Sequence, residues 1–220
     1  SSLRNAFRGQ LGDIEEINQL RPLPETEKEI NEIAKIFNAN FNKDVLLGKN
    51  ANEKLIKEYD FSEKDIIVFA THALVSQSMK GLNEPALVLT PPEIATLEND
   101  GLLTASEILQ LNLNAEFVIL SACNTASSIE SNQSGLSGLV KSFIFAGAKT
   151  LLVSNWDVDS KSAALLSTNT IKNYANNPQQ GKSFALRQAM IQLINSPKKS
   201  DRFYSHPFFW APFMIVGEGS

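Results

Sequence analysis

The chain has 220 residues, of which 43% are hydrophobic and 20% charged, a composition typical of one well-packed globular domain. Its net charge of -4 arises from acidic and basic residues mixed along the chain, so we expect neither nucleic acid nor a membrane as a partner. No apolar run approaches the ~18 residues that span a bilayer. One Cys and two His supply neither a disulfide nor an ordinary zinc site, so we expect a cytoplasmic protein without a metal or other cofactor.

The first half of the chain predicts a polar lead-in followed by helices and strands. Residues 1–22 are polar and irregular, so we place a linker there and the domain at 23–220. Hydrophobic spacing then predicts a helix over 25–38, a strand over 45–47, a helix over 51–58, strands over 66–70 and 86–89, and a hairpin or loop over 93–103. On the first of these helices, the face expected inward carries Ile30, Ile33, Ala34 and Phe37.

The second half continues the alternation of helix and strand. Thr104 and Glu107 match a capping box before a short helix over 105–110. The remaining pattern predicts a strand over 116–121, a Ser/Asn-rich loop over 124–134, a helix over 135–146, a strand over 150–154, helices over 160–175 and 182–195, and a closing strand over 213–216. This alternation predicts an α/β fold with a mainly parallel sheet and helices on both faces.

Two apolar strands end in side chains that can act together chemically. The strand over 66–70 leads to His72, and the strand over 116–121 leads to Cys123, the single Cys of the chain. Ligands bind to parallel sheets at the carboxyl ends of the strands, where both side chains would lie. An imidazole beside a thiol promotes formation of the nucleophilic thiolate. The pattern therefore predicts a Cys/His dyad, although a buried structural Cys and a core His remain open alternatives at this point.

The other imidazole and two carboxylates require separate interpretations. His206 precedes Pro207 in an aromatic-rich loop, so we interpret it as a packing or hydrogen-bonding residue. Asp157 and Asp159 follow the strand over 150–154 at the same edge of the sheet. Either carboxylate can cap the next helix, and the other can receive a basic substrate side chain.

Phosphate-binding motifs are incomplete in this sequence. Gly181-Lys182-Ser183 resembles the end of a P-loop, but the required upstream Gly position is Asn176. A G-x-G-x-x-G motif is absent as well. These absences disfavour a doubly wound domain that binds a nucleotide or another small molecule.

Several short motifs together resemble the CHAT domain, a caspase-like cysteine peptidase family related to separase and often found behind tetratricopeptide repeats in bacteria. They occur in the family's order over roughly residues 23–217. The matching segments are Phe69-Ala70-Thr71-His72, residues 100–108 (DGLLTASEI), Leu120-Ser121-Ala122-Cys123, Ala146-Gly147-Ala148-Lys149 and residues 206–211 (HPFFWA).

The resemblance implies a caspase–haemoglobinase fold and a cysteine endopeptidase that cleaves protein substrates. It assigns His72 and Cys123 to the catalytic dyad, and the backbone N–H groups of Ala73 and Cys123 to the oxyanion hole. Trp156-Asp157-Val158 resembles the separase segment whose Asp lines the pocket for a basic P1 side chain, which implies cleavage after Arg or Lys. We also expect control by a sensor domain or partner protein.

A non-catalytic interaction module with the same fold is the alternative. The family usually has Gly after the catalytic His, whereas this chain has Ala73. The two readings differ in whether Cys123 reacts as an activated thiol.

Overall fold

The central sheet of the protein brings three parallel strands and one antiparallel strand together. The computed structural model describes residues 11–121, 134–196 and 199–219. The strands of this sheet are β1 (Ile66–Phe69), β5 (Phe117–Leu120), β6 (Thr150–Ser154) and β7 (Phe213–Gly217). β1 pairs with β5 and β5 with β6 in parallel, whereas β7 runs antiparallel to β6.

A second, three-stranded antiparallel sheet follows directly from the end of β1. Its strands are β2 (Ala73–Leu74), β3 (Ala86–Val88) and β4 (Leu102–Thr104), in that order. Every residue of these three strands is buried. The small sheet therefore joins the hydrophobic core while redirecting the chain at the carboxyl end of β1.

Eight α-helices connect and cover these strands in the part of the chain that the structure describes. They are α1 (Ile14–Asn18), α2 (Pro24–Ile36), α3 (Phe41–Asp44), α4 (Glu53–Glu58), α5 (Ala105–Ile108), α6 (Ser134–Phe145), α7 (Ser160–Asn176) and α8 (Gly181–Ile194). Short 3-10 helices occur at Gly48–Asn50, Pro178–Gln180, Lys199–Ser205 and Pro207–Phe209. None of the described helices is long and apolar enough to cross a membrane.

Alternate residues of β5 face two different hydrophobic cores. Val118 and Leu120 pack with residues of α6 and the small sheet, whereas Phe117 and Ile119 pack with residues of α2, α7 and α8. Helices therefore cover both faces of the sheet, because side chains of a strand alternate between its faces. This arrangement confirms the predicted α/β fold with a mainly parallel sheet.

One local expectation from the sequence is wrong, and another is correct only in part. Residues 45–47 form no strand, and the chain there is extended between α3 and a 3-10 helix. The buried residues of α2 are Glu29, Ile33 and Ala34, whereas Phe37 is 39% exposed. The inward face of this helix is therefore displaced from the predicted one, and it carries a carboxyl group into the core.

Candidate active site

The backbone at His72 is held between the two sheets by two hydrogen bonds with Val88. His72 lies three residues after Phe69, the last residue of β1. The hydroxyl of Thr71 donates to the carbonyl of Val88, and the Val88 N–H donates to the carbonyl of His72 at 2.9 Å. These bonds fix the backbone on both sides of the imidazole before β2 begins.

The ring of His72 is buried, and its two nitrogens have different surroundings. Nε2 lies 2.7 Å from the carbonyl oxygen of Arg21. Because a carbonyl oxygen only accepts hydrogen bonds, Nε2 carries the hydrogen of the neutral ring. Nδ1 is then an acceptor, and it is buried without a hydrogen-bond partner among the described residues. The ring of His72 thus has a fixed orientation, and its Nδ1 is available as a base.

Arg21 orients His72 from a segment that the sequence suggested was a linker. Nearby, Ile17 of α1 is buried, and the Gly12 N–H donates to Asp100 at 2.8 Å. A boundary between residues 22 and 23 stays a prediction, and the structure adds that the residues before it contact the domain. No sequence signal marks Arg21 for this role, since every residue has a main-chain carbonyl.

Cys123 lies outside the described residues, but the strand leading towards it is described. Leu120 ends β5 and is the register partner of Phe69 in the parallel β1–β5 pair. His72 and Cys123 each follow these partners by three residues. The strand pairing therefore agrees with the expectation that the two strands end side by side at one edge of the sheet. The Cys/His dyad itself stays a prediction.

Ala73 begins β2 in a conformation that suits alanine. It is buried, pairs with Leu87, and has no positive φ, which among described non-glycine residues occurs only at Asn38 and Gln77. The carbonyl of His72 accepts from the Val88 N–H, so these two residues form a hydrogen-bonded pair. Hydrogen-bonded and non-hydrogen-bonded pairs alternate along an antiparallel ladder, so the next pair, Ala73 with Leu87, is non-hydrogen-bonded. Its N–H is therefore not used by β3.

The two carboxylates after β6 have separate roles. Asp159 caps α7 by accepting from the N–H groups of Lys161 and Ser162 at 3.1 and 3.2 Å. Asp157 is exposed at the same end of the sheet. Partial removal from water raises the pKa of Asp157, whereas His72, when its ring is protonated, and the charge of Arg21 act to lower it. The carboxyl end of β6 is thus followed by one exposed carboxylate, Asp157, and one that caps a helix, Asp159.

The aromatic loop before β7 contacts the segment that carries Asp157. The Trp156 indole N–H donates to the carbonyl of Phe208 at 3.1 Å. His206 is exposed, and its Nδ1 accepts from the Phe208 N–H at 3.2 Å. This contact confirms the interpretation of His206 as a hydrogen-bonding residue.

A cavity of about 1080 Å³ borders His72 and extends along β1. Arg21 and His72 are among its lining residues, together with residues of α2 and α4. His72 is therefore adjacent to open volume although its ring is largely buried.

Comparison with known proteins gives a family match over nearly the whole chain. A family model described as "CHAT domain" matches residues 10–218. Tetratricopeptide repeat protein 28 of Homo sapiens is 25% identical over 230 residues, and its counterpart of Mus musculus is 24% identical over 230 residues. Each alignment covers 89% of this chain, but only 8% of the human protein and 9% of the mouse protein. The chain thus spans less than a tenth of the length of these curated relatives.

Proposed function

The chain belongs to the CHAT domain family, which is related to caspase-like cysteine peptidases, and we propose that it is a cysteine endopeptidase. His72 and Cys123 are the proposed catalytic dyad. The proposal rests on the surroundings of the two ring nitrogens of His72. Nε2 is bound to the Arg21 carbonyl, whereas Nδ1 has no hydrogen-bond partner among the described residues. An imidazole held in this tautomer is prepared to accept a proton.

The reaction begins when Nδ1 of His72 accepts the thiol proton of Cys123. The thiolate attacks the scissile carbonyl carbon, and the tetrahedral intermediate expels the amine, which takes the proton from His72. A water molecule then loses a proton to His72 and attacks the thioester, which releases the carboxylic acid and restores the thiol. The Arg21 carbonyl accepts from Nε2 and keeps the ring oriented throughout.

Backbone N–H groups of Ala73 and Cys123 stabilise the developing oxyanion in this proposal. The support at Ala73 is that its N–H is not used by the β2–β3 ladder. Removal of one such donor from a comparable site costs ~3–4 kcal/mol of transition-state stabilisation. Alanine in place of the family's usual glycine is compatible with this role because residue 73 does not require a positive φ.

Asp157 selects substrates with Arg or Lys at P1. Its support is that Asp157 is exposed after the carboxyl end of β6, and that the neighbouring Trp156 is bonded to the loop at Phe208. Asp157→Asn should reduce cleavage after Arg and Lys while alkylation of Cys123 by iodoacetamide remains unchanged. A P1-varied peptide library measures the preference, and an unchanged preference in the variant would refute this role.

The decisive experiment compares the intact protein with Cys123→Ala and His72→Ala. We expect cleavage of library peptides by the intact chain and none by Cys123→Ala. Iodoacetamide should alkylate Cys123 at pH values well below the ordinary thiol pKa of about 8.5, and His72→Ala should slow that reaction. Cleavage that survives Cys123→Ala would exclude the mechanism.

A protein-interaction module is the second candidate, favoured by relatives that are named for tetratricopeptide repeats. In this case the fold serves within a longer protein whose other parts bind partners or regulate it. Ordinary thiol reactivity in the intact chain, unaffected by His72→Ala, would favour this function over catalysis.

A further inference from the structure

Glu29 places a carboxyl group in the core beneath the carboxyl end of β5. It is 2% exposed. Ser121 donates to Oε2 at 3.1 Å, and Ser167 donates to Oε1. One side chain of α2 therefore connects the residue that follows β5 with the middle of α7.

The carboxyl group is costly in this position. Burial raises the pKa of Glu29 to about 7, and the hydrogen bonds from Ser167 and Ser121 act in the opposite direction. No described residue forms an ion pair with it that would compensate for lost hydration. A buried acid without a cation lowers stability relative to an apolar side chain, which indicates that its contacts serve a role other than stability.

The contact with Ser121 gives Glu29 that role. Ser121 is buried and precedes Cys123 by two residues, so chain connectivity keeps their Cα atoms within about 7 Å. We propose that Glu29 is a positioning residue for the nucleophile, because its carboxyl group fixes Ser121 and the backbone that leads to Cys123. This inference depends on the proposed peptidase function for its catalytic meaning.

The groups around Glu29 can bond to the protonated acid as well as to the carboxylate. The Ser167 hydroxyl also lies 3.2 Å from the Ala164 carbonyl. When Glu29 is protonated, its bond with Ser167 reverses: Glu29 donates to the Ser167 hydroxyl, which then donates to Ala164, while Ser121 continues to donate to Oε2. Glutamine reproduces this pattern with its N–H₂ towards Ser167 and its carbonyl towards Ser121. Leucine removes both bonds.

The test measures amide hydrogen exchange over residues 117–121 and the rate of Cys123 alkylation in the full chain. We expect Glu29→Leu to accelerate exchange there and to slow alkylation about tenfold, because small displacements of a reacting group reduce rates strongly. Glu29→Gln should retain values close to those of the parent protein. Ser167→Ala is the matched control, since it keeps the contact between Glu29 and Ser121.

Ser121→Ala removes the same contact from the other end and covers the case in which Glu29→Leu does not fold. Unchanged exchange over 117–121 and unchanged alkylation in folded Ser121→Ala would overturn the positioning role. Failure of the peptidase proposal alone would give a different result. In that case Glu29→Leu or Ser121→Ala accelerates exchange, but Cys123 of the parent protein reacts as an ordinary thiol and its alkylation rate is unchanged by His72→Ala.

Discussion

At the scale of single residues, Glu29 links protein stability to pH. Its pKa is about 7 in the folded protein and 4.5 for an ordinary glutamate. The folded state therefore binds the proton more tightly than the unfolded state. The resulting stabilisation is complete below pH 4.5 and is lost as pH rises through 7.

Glu29→Gln should remove this dependence. At pH 8 the variant should unfold with a free energy up to about 3 kcal/mol higher than the parent protein, whereas at pH 4.5 the two should be similar. Urea titrations at both pH values measure the difference, and other titrating groups cancel in the comparison. Parallel stability curves between pH 4.5 and 8 would contradict a protonated core carboxyl.

At the scale of elements, the turn from α6 into β6 depends on Gly147. Its φ is 113°, and an added Cβ would lie 2.1 Å from the carbonyl oxygen of Leu113. Gly147→Ala should therefore destabilise the protein by about 3 kcal/mol or more, through backbone strain and a contact with a fixed main-chain atom.

Gly48→Ala provides a control with positive φ but open surroundings. Its φ is 53°, and nothing lies within 4 Å of an added Cβ. We expect a loss of about 1 kcal/mol there. Thermal and denaturant unfolding compare the two variants, and an equal loss at both positions would exclude the steric explanation for Gly147.

Long periodic elements were predictable, whereas short strands depended on distant partners. The strand over 150–154 and the helices near 160–175 and 182–195 follow strong local patterns, and they agree with β6, α7 and α8. By contrast, β2 has no such local pattern, because it has only two residues and is a strand through its pairing with β3. Likewise, residues 45–47 have strand-forming side chains but no strand partner in the described chain.

At the scale of the whole molecule, the proposed site depends on segments far apart in sequence. The described contacts join His72 to Arg21, while Ser121 contacts Glu29 from the opposite half of the chain. The sequence indicated where His72 would lie because parallel strands deliver their ends to one edge. It could not indicate the Arg21 carbonyl, because no side chain identifies it. It also missed Glu29, since a charged residue is rarely assigned to a core.

A chain beginning at residue 23 should lose the orientation of His72. We expect alkylation of Cys123 to slow by about tenfold or more, because the ring no longer has its fixed hydrogen-bond acceptor. Arg21→Ala is the matched control, as it removes charge but retains the carbonyl. Circular dichroism should accompany the rates to establish folding. A folded truncated chain with the reactivity of Arg21→Ala would contradict the anchoring role.

The bond between His72 and Arg21 also affects how mutational scans of this protein should be interpreted. Every amino acid supplies a carbonyl, so position 21 should tolerate most replacements when thiol reactivity is selected. A deletion of one residue between 19 and 22 should not be tolerated, because it displaces that carbonyl. A substitution scan would then show position 21 as tolerant, although the path of the backbone through that position is strictly required.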